Sequence, residues 1–248
     1  MRWKITLEYD GSGFCGWQRQ PHAFSVQQAL EEAIHKFSGE VTTLHIAGRT
    51  DAGVHARGNV AHFDLAKATD SDTIRDAVNF HSRPHKVTVL HAEMVADDFH
   101  ARFGALNRSY EYRIINRRTP PALLGDHAWH VSRPLALAPM QEAAQLLLGH
   151  HDFSTFRAQG CQSNSPFKTL DQLDAESAGE ILTFRIRARS FLYHQVRNMV
   201  GTLALVGSGQ WSVEEFRSAF AACDRTKGGP TAPPHGLFFL AVTYPEPL

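Results

Sequence analysis

The sequence predicts an α+β protein of two similar halves, with mainly antiparallel sheets fused into one central sheet flanked by helices and loops. Three observations lead there. Stretches of apolar residues with period two alternate along the chain with stretches of helical period. The same order of elements returns after about residue 105 without visible sequence repetition. A length of 248 residues at 43% apolar composition is enough for one large core or two smaller ones. The expected halves are residues 1–105 and 106–248.

In the first half, "KITLEYD" alternates as a half-buried strand does, and "SVQQALEEAIHKFSG" follows as a helix. Ser25 and Gln28 form a capping-box pattern, Val26, Leu30, Ala33, Ile34 and Phe37 make one apolar face, and Gly39 ends the helix. "TTLHIAG" and "VAHFDLA" read as strands on either side of a short motif, followed by a helix at "DTIRDAVNFH" and a strand at "KVTVLHAEMV", with the strand "SYEYRIIN" just past the join. The second half then has the helix "APMQEAAQLLLGH" and continues with the strand "EILTFRIRARS" and the helix "FLYHQVRNMVGTLALVG". It closes with the helix "SVEEFRSAFAAC" and the strand "GLFFLAVTYP".

Glu8 and Asp10 interrupt the opening segment, and polar residues break every longer apolar run, so no membrane or export segment is expected and the location expected is cytoplasmic. Cys15, Cys161 and Cys223 show neither CxxC nor Cys/His spacing and read as reduced thiols. Formal net charge is zero, with 25 basic and 25 acidic residues, and gives no global argument for nucleic acid. The local distribution does. Arg102, Arg108, Arg113, Arg117 and Arg118 face a single acid, Glu111, with Phe103, Tyr110 and Tyr112 interleaved; a solvated edge strand explains the arginines alone, and the mixture with aromatics fits phosphate contacts and stacking faces better.

The short motif is "AGRTDAGVHA". Gly48 and Gly53 have the spacing of a phosphate loop, but Val54 and His55 stand where such a loop needs Lys and Ser/Thr. Asp51, His55 and His62 lack metal-ligand spacing, so no metal is expected. A carboxylate with an ordinary pKa near ~3.9 is ionised at neutral pH and attacks an electrophilic carbon without a base. On this chemistry Asp51 is either a nucleophile in a tight glycine-flanked loop or the cap of a turn. A second oddity bears on the choice. Between Ser190 and Ser208, Arg197 is the one formally charged residue of an apolar segment. A buried guanidinium needs an anion, and Asp51 is the expected one, the alternatives being another acid or a side chain that reaches solvent.

Together "YDGSGFCGWQRQP", "SVQQALEEAI", "GRTDAGVHA", "FHARFGALNRSYEYRI", "HDFSTFRAQG", "SFLYHQVRNMVG" and "APPHGLFFLAVTYP" resemble the tRNA pseudouridine synthase A family, in order, from about residue 9 to about residue 244. One departure is Lys168, where the family pattern has arginine. The resemblance implies the pseudouridine synthase fold. It further implies an enzyme that isomerises uridine to pseudouridine at positions 38, 39 and 40 of the tRNA anticodon stem-loop, without cofactor or metal, as a homodimer. By the same resemblance Asp51 is the nucleophile, Arg197 orients it, Tyr110 stacks on the target base and Arg49 fills the space of the extruded nucleotide. Arg102 and Arg108 are expected to contact the RNA. The residues leave open whether Asp51 attacks C6 of the base or C1′ of the sugar, or whether the route passes through a glycal. The rival from another class is a non-catalytic RNA-binding protein of the same fold.

Overall fold

A computed structural model of the protein describes residues 1–245. The chain forms two compact units, one from Met1–Arg108 with the segment from Phe238 onward, the other from Ser109–Leu237. Each is a mainly antiparallel sheet with helices, in the α+β class expected.

In the first unit, strand β1 (Arg2–Tyr9) buries Trp3, Ile5, Leu7 and Tyr9 at every second position, as the alternation in the sequence requires. It lies between two antiparallel neighbours, β3 (His55–Asp64) and β4 (Val87–Val95), while the two-residue β2 (His45–Ile46) pairs with His62 and Ala61 on the other edge of β3. The final strand, β10 (Leu237–Thr243), lies in parallel against the start of β3, so the segment that comes last in sequence completes the first unit. Gly58 makes that approach possible, since a Cβ there would stand 2.5 Å from the Leu240 carbonyl oxygen. The sequence pattern shows β3 only from Val60, because Arg57, Gly58 and Asn59 break the apolar alternation. Helices α1 (Val26–Ser38) and α2 (Ser71–His81) pack on each other and α2 packs on β4. Val26, Leu30, Ala33 and Ile34 of α1 are buried as expected, and Phe37 is half-buried under Lys67. The expected capping box at Ser25 is half made. Ser25 Oγ accepts from the Gln28 N–H, but the Gln28 side chain donates to Glu32 instead of returning to the cap. The reciprocal box forms at Ser212 and Glu215.

In the second unit, β5 (Asn107–Asn116) is followed in the sheet by β9 (Ile181–Ala188), β8 (Phe167–Ala178) and β7 (Gly149–Asp152), with the short β6 (Trp129–Val131) in parallel beside β5. Strand β8 is absent from the sequence reading for a physical reason. It buries Leu170, Leu173 and Ala175, and a register shift between Leu170 and Gln172 destroys the period of two. Helix α3 (Leu137–Gln145) stops five residues before the expected end at His150, and α5 (Val213–Ala221) packs on α3 and α4. Helix α4 (Gln195–Gly207) starts later than the apolar run suggests. His194 is left-handed, with φ 60°, and the Gln195 side chain accepts from the Leu192 N–H, so residues 191–194 form a turn ahead of the helix.

The buried polar residues of α4 secure the segment 229–232. Thr202 Oγ1 accepts from the Gly229 N–H, and Asn198 accepts from Thr231 Oγ1 and from Arg225. At Gly201 the backbone of this segment comes so near that a Cβ would stand 1.9 Å from the Pro230 carbonyl oxygen. Helix propensity favours Ala over Gly by about 1 kcal/mol, so the sign of Gly201→Ala reports which effect wins. A fall in Tm is expected, read by calorimetry; a rise would show that α4 and segment 229–232 are not held this closely.

Candidate functional site

The loop that carries Asp51 is fastened at Ala47, Gly48, Thr50, Asp51 and Val54. Ala47 donates its N–H to the Val60 carbonyl, and the Gly48 carbonyl accepts from Asn59 Nδ2 at 2.8 Å. Thr50 is buried, its hydroxyl 2.8 Å from the hydroxyl of Tyr9, which Asn59 Nδ2 also reaches at 3.3 Å. Burial pushes the Tyr9 phenol up to about 12, with Thr50 and Asn59 acting in the opposite direction, so it remains a neutral hydroxyl in this network. The Thr50 carbonyl accepts from the Trp17 N–H at 3.0 Å, and Asp51 forms an antiparallel bridge to Gly16. A tight turn closes the loop, with the Val54 N–H on the Asp51 carbonyl and Gly53 at φ 76°.

Two glycines outside the motif allow this. Gly16 has φ 100°, and a Cβ on it would stand 2.7 Å from the Thr50 oxygen; one on Gly11 would stand 2.2 Å from the Val54 oxygen. Gly11 also donates to His55 Nδ1 at 3.0 Å, and the His55 ring stacks on Phe238 with centroids 4.7 Å apart. His55 and His62, weighed earlier as metal ligands, are buried and each accepts a backbone N–H, and His55 Nδ1 also lies 3.2 Å from Asp10 Oδ1, a histidine and carboxylate pair of the kind that can ligate a metal. Asp51 itself is half-buried and Arg49 exposed.

The root of the loop is tied to a second turn. Arg108, 8% exposed, donates to the carbonyl of Ala47 through Nε and Nη2, and to those of Ala105 and Arg102. Charge-assisted bonds of this kind contribute about 1.5–3 kcal/mol each, enough to fix both segments. Arg108 thus serves the frame through these bonds. Arg113 likewise bonds Glu111, and Arg117 bonds Glu180, so the arginine-rich segment presents less outward charge than its composition suggests. Arg102 is exposed, its guanidinium 5.5 Å from the centroid of the Phe103 ring.

In the second unit, Tyr110 on β5 is half-buried, its ring edge-on to Phe191 at 5.1 Å and 87°. Arg197, in the first turn of α4, donates from Nε to the Ala232 carbonyl at 2.8 Å, and its own carbonyl accepts from the Ala232 N–H. The charge anticipated from sequence as costly is thus at least partly satisfied by backbone. Lys168 donates to Ser163 and to the carbonyls of Ser165 and Phe167, closing the loop ahead of β8.

The supporting roles of Tyr9, Gly11, Gly16, Asn59 and His100 escaped the sequence reading, and His62 is weighed there only as a metal ligand. Only the glycines of "YDGSGFCGW" carried a signal; Asn59 looks like any polar strand residue. His62 is buried, and burial first, then the nearby His100, His45 and Arg2, hold its pKa down to about 4 against the opposing charge of Asp64. In an unfolded chain histidine titrates near ~6.5. Between about pH 6.5 and pH 4 the unfolded state therefore binds a proton that the folded state refuses, and stability, full above this window, falls as pH falls through it. His62→Gln retains an acceptor for the Ala101 N–H and should flatten this slope in urea titrations at several pH values; an unchanged slope would remove His62 as its origin.

A family model described as tRNA pseudouridine synthase matches residues 5–104 and 143–245. The chain is 54% identical over 245 residues to a tRNA pseudouridine synthase A of Rhodospirillum rubrum, covering 99% of this chain and 88% of the relative. It is 56% identical over 243 residues to the tRNA pseudouridine synthase A of Paramagnetospirillum magneticum, covering 98% and 95% of the two chains. The protein of the same name from Rhodospirillum centenum is also 56% identical, with 98% and 99% covered. Among the described residues no helix is long and apolar enough to cross a membrane. The chain belongs to the tRNA pseudouridine synthase A family and is an enzyme, an isomerase that forms pseudouridine in tRNA.

Proposed function

We propose that this enzyme converts uridine to pseudouridine at positions 38, 39 and 40 of the tRNA anticodon stem-loop, with Asp51 as nucleophile and no cofactor or metal. The observation that carries the assignment is the Asp51 loop. A carboxylate is mounted on backbone bonded to Trp17 and Asn59, next to two glycine approaches that no other residue could make. A loop that merely turned the chain would not need such fastening. Preorganisation of this kind keeps an attacking group in reach of its target without an ordering cost at the moment of reaction.

The chemistry has a simple balance. The bond from C1′ of the ribose to N1 of uracil breaks, the base turns, and a bond from C1′ to C5 forms. The proton on C5 is released and N1 gains one. Asp51 supplies the attacking carboxylate and is regenerated. Arg197 orients that carboxylate by a charge-assisted hydrogen bond, Tyr110 stacks on the freed uracil, and Arg49 occupies the place of the extruded nucleotide. Extrusion costs a few kcal/mol, and less in a loop or at a stem end, which suits this part of tRNA. Arg102 contacts the RNA, and Arg108 acts through the frame described above. The working form is a homodimer, both subunits contributing to each tRNA cleft; a formal net charge of zero is compatible with this, since only the cleft has to be basic.

The test uses an unmodified tRNA transcript in EDTA. Wild type is expected to form pseudouridine at the three positions. Asp51→Asn is expected to form none while binding the transcript within a few fold of wild type, because the amide preserves shape and removes the nucleophile. Turnover by the Asn variant would overturn the role of Asp51, dependence on metal would overturn the cofactor-free reading, and tRNA binding without turnover by wild type would favour the RNA-binding rival.

A further inference from the structure

The turn Ala101–Gly104 exposes one large aromatic ring on an unusually constrained backbone. Phe103 is 73% exposed. His100 Nδ1 accepts from both the Arg102 and Phe103 N–H groups, at 3.1 and 3.3 Å, and the Gly104 N–H closes onto the His100 carbonyl. Ala101, fully buried, donates to His62 Nδ1, and its carbonyl accepts from the Tyr244 hydroxyl at 2.8 Å. Arg108 takes the Arg102 carbonyl and, with the same guanidinium, the Ala47 carbonyl beside Gly48. Two histidines, a tyrosine and a buried arginine thus direct polar atoms to a turn whose tip contributes nothing to the core.

We propose that Phe103 is a stacking platform for an unpaired base of the tRNA substrate, with Arg102 contacting an adjacent phosphate. The inference rests on tRNA being the substrate and not on the role of Asp51. One side of the ring is supported by His100, centroids 4.4 Å apart, which sets its orientation and leaves most of its surface open. The Arg102 guanidinium, 5.5 Å from the ring centroid, puts a cation beside that π surface, the pairing that single-stranded nucleic acid fits with its alternating bases and phosphates. An exposed phenylalanine is a liability in water, and a rigid one recovers it on binding because little conformational freedom is lost. The same guanidinium that holds this turn also holds the root of the Asp51 loop, so the platform stands at a fixed offset from that loop. A base stacked on Phe103 would set the register of the RNA relative to that loop.

The experiment measures filter-binding affinity, kcat and KM for an unmodified tRNA transcript, with Tm and sedimentation mass, for wild type, Phe103→Ala, Phe103→Leu, Phe103→Trp and Arg102→Gln. Loss of one stacked base is expected to weaken binding and raise KM by roughly five- to 150-fold in the Ala variant. Trp should restore most of this, Leu little, and Tm and mass should not change. Arg102→Gln should flatten the dependence of log affinity on log salt by about 0.7 to 0.9, which Phe103→Ala should not. Affinity unaffected in Ala, or recovered by Leu as fully as by Trp, would overturn the platform. A loss of affinity that follows a loss of the dimer would assign Phe103 to the contact between copies and overturn it equally, and an unchanged salt slope would overturn the phosphate contact. Affinity is read whether or not wild type turns over, so failure of the catalytic assignment and failure of this one are distinguishable.

Discussion

The close approach of two backbones is the constraint on which the candidate site depends. Residues 50–54 run against residues 11–17 with no room for a side chain between them at Gly11 or Gly16. That contact lets the Trp17 N–H reach the Thr50 carbonyl and lets Gly16 bridge Asp51. Once the two strands of backbone touch, the polar groups between them must find partners, because a buried amide or hydroxyl left unpaired costs about 1–3 kcal/mol. Tyr9, Thr50 and Asn59 meet that demand in one small network, and β1 and β3, which carry Tyr9 and Asn59, are placed by ordinary antiparallel pairing. Strand, network and loop thus form one chain of cause from the alternation of "KITLEYD" to the position of a carboxylate.

Arginine has two different uses along this chain, and telling them apart requires structure. Arg108 is a strut: it is buried and bonded to carbonyls at both ends of its reach. Arg113 and Arg117 neutralise Glu111 and Glu180. Arg102 stands at the surface beside an open aromatic ring. Composition counts these side chains alike. Burial and partners separate the buried or paired arginines that shape the protein from those, such as Arg102, that stand exposed.

Much of the fold was legible because one face of each element is buried. The period in β1 and α1 survives as expected, with Ile5, Leu7, Leu30 and Ile34 fully enclosed. Elements whose periodicity is broken were not legible: β8, with its register shift, and the first residues of β3, where Gly58 answers to a strand that arrives from the far end of the sequence. The same limit applies to the site. Asp51, an ionised carboxylate between glycines, and Arg197, a lone charge in an apolar run, stand out as candidates in the sequence. The roles of Asn59, His62 and His100 do not, since they arise from carbonyls and N–H groups that only the tertiary fold brings near.

A preorganised carboxylate requires the Asp51 loop to be fixed before RNA arrives. Amide hydrogen exchange of the free protein measures this directly, at the Trp17 and Val54 N–H groups that donate to Thr50 and Asp51. Both are expected to exchange as slowly as the amides paired in the centre of β1 and β3, with no further protection when tRNA is added. Rapid exchange in the free protein, slowed only by tRNA, would show that the substrate orders the loop and would contradict a preformed site.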